Sequence, residues 1–154
     1  MSEVSAGADA GADQLHRRMV AFVRAFGLHR PDETPCGAPV PVSEAHALAV
    51  LDEHGPLAQT GLARHLGLTK STVSRLVDQL ERRGWARRQV GDGDGRQRLV
   101  ALTDDGTKVA GEIGRRREAR MQRLLDHIPE ADRPAVLAAL DALVTAAQEE
   151  PHDA

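Results

Sequence analysis

The stretch that most constrains this chain is Leu62-Ala63-Arg64-His65-Leu66-Gly67-Leu68-Thr69-Lys70-Ser71-Thr72-Val73-Ser74-Arg75-Leu76. Two short helices that cross closely need a small residue at their contact, and Ala63 supplies it. Four residues further on, the chain must turn left-handed, which Gly67 does without the penalty of a Cβ. The second helix needs an aliphatic or β-branched residue turned inward, and Val73 fits. Thr69 is placed as the N-cap of that helix, and Val73, Leu76, Val77 and Leu80 recur at helical spacing up to Gly84. The pattern is a helix-turn-helix. It leaves Lys70, Ser71, Thr72, Ser74 and Arg75 on the outside of the second helix's N-terminal half. Short polar and basic side chains there suit the base edges and phosphates of a DNA major groove.

The flanking sequence supplies further elements. Residues 1–12 are small and acidic, offer nothing to bury, and are expected to form a flexible tail. Leu15, Met19, Phe22, Val23 and Phe26 make one apolar helical stripe, ended by Gly27 and by Pro31, Pro35, Pro39 and Pro41. Ser43 is placed as the N-cap of a helix through Leu48 and Leu51 that stops at Gly55-Pro56, and a short helix follows over about 59–66. After Gly84, β-like runs at 85–90 and 98–102 flank a glycine-rich segment, predicting a hairpin with a flexible tip. Trp85 reads as a core anchor beneath it. Thr103, Asp104 and Asp105 open a long helix with acids where the helix dipole favours them. A last helix carries Val136, Leu137, Leu140, Leu143 and Val144.

Charge sharpens the reading. The net charge of −3 hides a segment, residues 57–102, with nine basic and four acidic side chains, a net of +5 inside an otherwise acidic chain. A positive block of that kind is the footprint of a polyanion-binding module. The aromatic residues are Phe22, Phe26 and Trp85, with no tyrosine, which argues against reading single strands by base stacking. The lone cysteine, Cys36, excludes an intrachain disulfide framework and a multi-cysteine zinc finger. The N-terminus lacks the features of a secretory signal, and no run approaches the ~20 apolar residues of a membrane span. A cytoplasmic protein with no membrane partner is expected. Catalysis is not expected either, because the serines cluster on the second helix and the cysteine lies in a proline-rich linker, with no convergent nucleophile, base and orienter.

A helix-turn-helix followed by a hairpin is a winged helix. Arg96 at the hairpin tip can reach an adjacent minor groove, where arginine reads groove width and potential, and Asp94 can hold its aim. The stretch from Gly67 to Val77, then Leu80-Glu81-Arg82-Arg83-Gly84, resembles the recognition helix of MarR-type transcriptional regulators. Asp94-Gly95-Arg96-Gln97-Arg98-Leu99-Val100-Ala101-Leu102-Thr103 is similar to that family's wing, in which Asp-x-Arg precedes a strand ending Leu-Thr. The resemblance is close over about 42–111.

It implies a mainly α fold with a small β-hairpin wing: a winged helix-turn-helix DNA-binding domain at 43–103, with a helical dimerisation region at 13–30 and 104–148. The tails are then 1–12 and an acidic 149–154. It further implies an obligate homodimer on double-stranded DNA, reading a pseudo-palindrome with half-sites about one helical turn apart. Most members are repressors released by a small molecule, a metal or an oxidant. Arg96 carries over as the minor-groove contact with Asp94 as its partner. Ser71, Thr72, Ser74 and Arg75 carry over to the recognition helix, with Lys70 and Arg64 as phosphate candidates. The rival reading is a winged helix used for protein–protein contact or as an architectural subunit, with only sequence-blind DNA binding.

For an effector, Cys36, Glu44 and His46 stand out in the linker and second helix. Thiolate, carboxylate and imidazole together suit zinc, and some family members hold zinc in this region. Those members also use histidines on the long helix after the wing, where this chain reads Glu112-Ile113-Gly114-Arg115-Arg116-Arg117. Metal ligation, thiol oxidation, small-molecule contact and a cysteine with no sensing role all stand open.

Overall fold

The computed structural model describes residues 3–91 and 98–150. The chain divides into compact units, Met1–Arg117 and Glu118–Ala154. The first holds α1 (Glu3–Phe26), α2 (Val42–His54), β1 (Leu57–Ala58), α3 (Gln59–Leu66), α4 (Lys70–Arg82), β2 (Ala86–Val90), β3 (Arg98–Leu102) and the start of α5 (Asp104–Asp126). The second holds the end of α5, a 3₁₀ turn (Glu130–Asp132) and α6 (Arg133–Glu149). The result is mainly helical with one small antiparallel sheet. No described helix is long and apolar enough to cross a membrane.

The core of the first unit forms where the helix-turn-helix meets the sheet and α5. Leu48, Leu62, Val73, Val77, Leu80 and Val100 are its largest fully buried side chains, and Ala110 and Ile113 of α5 join the same cluster. The inward face foreseen for α4 (Val73, Leu76, Val77, Leu80) is therefore the buried one. Gly67 ends α3 at φ 63°, donating to the Arg64 carbonyl at 3.3 Å while Leu68 donates to Ala63 at 3.1 Å. This paired closure satisfies carbonyls that a helix end would otherwise leave open, and it needs the left-handed residue that glycine provides. Gly84, at φ 74°, closes α4 in the same way: it donates to Glu81 at 2.9 Å while Trp85 donates to Leu80 at 2.9 Å.

The sheet runs β1-β3-β2, with Ala86 opposite Leu102 and Val90 opposite Arg98. Thr103 ties its base to α4 and α5. Its backbone N–H donates to the Trp85 carbonyl at 3.0 Å, its hydroxyl donates to the Gly84 carbonyl at 2.6 Å, and Oγ1 accepts from Gly106 N–H at 3.0 Å. Trp85, half-buried, packs against the core there. Nothing larger than glycine fits at 106, since a Cβ would lie 1.9 Å from the Trp85 carbonyl oxygen.

Three sequence expectations are corrected. The stretch 1–12 was expected as a flexible tail, but α1 begins at Glu3. Four of residues 3–12 are alanine, the strongest helix former, and helix propensity needs nothing to bury. The cap of α2 is Pro41 and not Ser43, because an extended Pro41 (φ −54°, ψ 142°) turns the chain into the helix and its carbonyl accepts from Ala45 N–H at 3.0 Å. The sheet also has a third strand beyond the hairpin. Leu57 and Ala58 pair with Val100 and Leu99, a stretch too short to show alternation in the sequence. Of the acidic tail foreseen at 149–154, Glu149 closes α6 and 151–154 lie outside the described residues.

Candidate nucleic-acid interface

With its apolar side buried, α4 turns Lys70, Ser71, Thr72 and Arg75 to solvent, while Ser74 is half-buried at the edge of that face. The first turn is rigidly capped. Thr69 Oγ1 accepts from Thr72 N–H at 3.3 Å and lies 2.9 Å from Thr72 Oγ1 and 3.2 Å from Ser71 Oγ. Hydroxyls held in one cluster at a helix start sit beside the positive end of the helix dipole, where anions are favoured. Lys70 adds a full charge on the same turn. Arg64 lies exposed in the last turn of α3, the helix packed against α4. Among the described residues, no carboxylate lies within ion-pair reach of Arg64, Lys70 or Arg75. Their charge is available to an external anion.

The structure thus brings five of the expected contact residues together on α4, with Arg64 on its packing partner. Asp94 and Arg96 lie outside the described residues, between the paired Val90 and Arg98. The rest of the positive segment divides. Arg82, Arg87 and Arg98 are exposed, whereas Arg83 and Arg88 hold the fold. Arg83 Nε lies 2.8 Å from Glu44 Oε2, and its guanidinium sits 4.9 Å above the Trp85 ring. Among the described residues Glu44 Oε2 has no hydrogen-bond partner, so its contact with Arg83 is ionic. Sequence reasoning gave neither arginine this role, because a count of charges carries no information about partners.

Cys36, Glu44 and His46 are not brought together. Glu44 is buried against Arg83, His46 is exposed, and the Cys36 sulfur lies 2.9 Å from Thr34 Oγ1. Among the described residues, no three His, Cys, Asp or Glu side chains are grouped to hold a metal ion.

Beside this region lies a cleft of about 360 Å³, with Val40, Trp85, Val109 and Ile113 as apolar lining and Arg83, Lys108, Arg116 and Glu112 as charged lining. Arg115 and Arg116, both exposed, each donate to Glu112 at 2.8 Å, and Arg116 also donates to the Gly37 carbonyl at 3.0 Å. Hydrogen bonds from Arg116 and then Arg115 hold the Glu112 carboxyl below the ordinary glutamate range.

A tight two-helix turn, an exposed polar and basic helix face and an antiparallel wing define a winged helix-turn-helix protein. The MarR family profile matches residues 38–97. The chain is 31% identical over 93 residues to the HTH-type transcriptional regulator YwoH of Bacillus subtilis and 27% identical over 96 residues to YfiV of the same organism, covering 60% and 62% of this chain. It spans 67% of the length of YwoH and 60% of that of YfiV. Staphylococcus aureus MepR, solved in complex with DNA, superposes with a TM-score of 0.63 at 27% identity, covering 70% of this chain and 80% of that one. The chain belongs to the MarR family of transcriptional regulators.

Proposed function

We propose that this regulator binds a specific double-stranded DNA operator as a homodimer, acts as a repressor and is released by an effector. The observation that carries the reading is the exposed face of α4. Lys70, Ser71, Thr72 and Arg75 lie at one helix start, with neighbouring Ser74, and among the described residues no carboxylate pairs with the cations. In this reading α4 enters the major groove, with Ser71, Thr72, Ser74 and Arg75 at base edges and Lys70 and Arg64 on phosphate. Arg96, aimed by Asp94, enters the neighbouring minor groove. MepR, similar in fold and solved in complex with DNA, supports DNA binding as such.

Residues 43–103 are then the DNA-binding domain, and 13–30 with 104–148 the dimerisation region. The dimer is supported by exposed apolar stripes: Leu15, Met19 and Phe22 on α1, and Leu137, Leu140, Leu143 and Val144 on α6. A single chain rarely leaves so much apolar surface in water. The cleft beside Arg83 and Trp85 would accommodate a small effector. Selection from a randomised duplex library tests the reading. Recovery of an inverted repeat with half-sites about one helical turn apart is expected. Unselective retention of all sequences would instead mark an architectural or protein-binding module.

A further inference from the structure

Arg88 belongs to the positive segment of the sequence, yet it does not face solvent. Its side chain is 23% exposed. Nη2 donates to Asp78 Oδ1 at 2.7 Å, Nη1 donates to Glu81 Oε2, and the backbone N–H donates to Glu81 Oε1 at 2.9 Å. Both carboxylates belong to α4, on the turns that follow Ser74 and Arg75. One residue of the wing strand is therefore gripped by side chain and main chain from the helix that carries the candidate base contacts.

We propose that Arg88 is a positioning residue: bound by Asp78 and Glu81, it fixes the wing at one angle to α4, and so governs discrimination among DNA sequences without touching DNA. The inference rests on the DNA-binding reading above. A guanidinium held by two carboxylates is restrained in rotation as well as in distance. The bond from Arg88 N–H to Glu81 also fixes the register of β2 against α4. Because Val90 pairs with Arg98, that restraint reaches the last described pair of β2 and β3. The neighbouring Arg87 is a built-in contrast. It is exposed, and its side chain hydrogen-bonds Gln89 Oε1 at 3.3 Å on its own strand, with no carboxylate partner among the described residues.

The sign of one substitution separates positioning from simple attraction. Glu81→Gln removes a negative charge next to the candidate DNA face. If charge alone mattered, every duplex would bind it more tightly. If Glu81 holds Arg88, the variant loses affinity for a preferred sequence.

The test uses the full chain with two probes, the duplex that wild type recovers from a randomised library and a random-sequence duplex of equal length. Arg88→Gln and Glu81→Gln should each weaken binding to the selected duplex roughly tenfold or more, as loss of charged hydrogen bonds does, and change the random duplex little. The slope of log affinity against log salt should stay at the wild-type value. The double variant should bind no worse than the weaker single one, since both act through the same contact. Lys70→Gln should instead lower that slope by about one and weaken both probes alike, as loss of a phosphate contact does.

Tighter binding of both duplexes by Glu81→Gln would overturn the proposal. So would an equal loss on both probes by Arg88→Gln with a reduced slope. Melting midpoints accompany each measurement. If Arg88→Gln does not fold, the near-isosteric Asp78→Asn and Glu81→Gln carry the test. A wild type that recovers no sequence overturns the DNA reading, and this inference with it.

Discussion

The winged lobe and α6 use the same aliphatic residues to opposite ends. In the lobe, Leu48, Leu62, Val77 and Leu80 are completely buried. On α6, Leu137 and Val144 are each 55% exposed, and no residue of the helix is buried. The helical spacing of apolar residues is similar in both. What differs is whether one chain supplies the facing surface: α2, α3, the sheet and α5 complete the lobe's core, while the stripe on α6 remains bare. A periodic apolar stripe in a sequence thus says that something will cover it, but not whether the cover lies in the same chain.

The proposed dimer is the answer to that contrast, and breaking it should have the largest effect. Replacing Leu140 and Val144 together by Glu should convert the protein to monomer by sedimentation. Operator affinity should fall on the order of 100- to 10,000-fold, the cost of losing the second half-site. An intact dimer with unchanged affinity would show that α6 is covered in some other way.

The lobe should respond to crowding instead. Gly106→Ala places a Cβ 1.9 Å from the Trp85 carbonyl, and overpacking of that kind destabilises by about 1–3 kcal/mol. Chemical denaturation of the purified variant measures the loss. At the wing, Arg96→Ala should weaken operator binding by about 1–3 kcal/mol, as removal of one groove contact does. An unaltered affinity in a titration would remove Arg96 from the interface.

The smallest effect has the opposite sign. Gly114 lies on the same helix as Gly106, but a Cβ there meets nothing within 4 Å. Gly114→Ala should stabilise by about 0.5–1 kcal/mol through helix propensity alone. If it destabilises, a partner surface occupies that space.

These contrasts also mark how far the sequence could be read. The turn at Gly67, the inward face of α4, the Thr69 cap and the strand at 98–102 were legible because each depends on local rules: a left-handed residue, a helical period, a hydroxyl three residues before an amide. The six candidate contact residues on α3 and α4 could be picked out for the same reason, since burying Val73 and Leu76 leaves the other face to solvent. What could not be read depends on partners distant in the chain. Leu57 and Ala58 are strand only because Val100 and Leu99 lie beside them. Arg83 and Arg88 looked like free charge until the fold set Glu44, Asp78 and Glu81 against them. Nor does residue chemistry alone say where Cys36, Glu44 and His46 lie in the fold: Glu44 faces Arg83, and the Cys36 sulfur lies beside Thr34.

The central claim is that two such lobes read one duplex. Hydroxyl-radical footprinting of the purified protein on its selected duplex tests it most directly. The account predicts two protected windows on one face of the helix, about one turn apart, both absent for the Leu140 and Val144 double variant. A single protected window, or a footprint that survives in that variant, would contradict it.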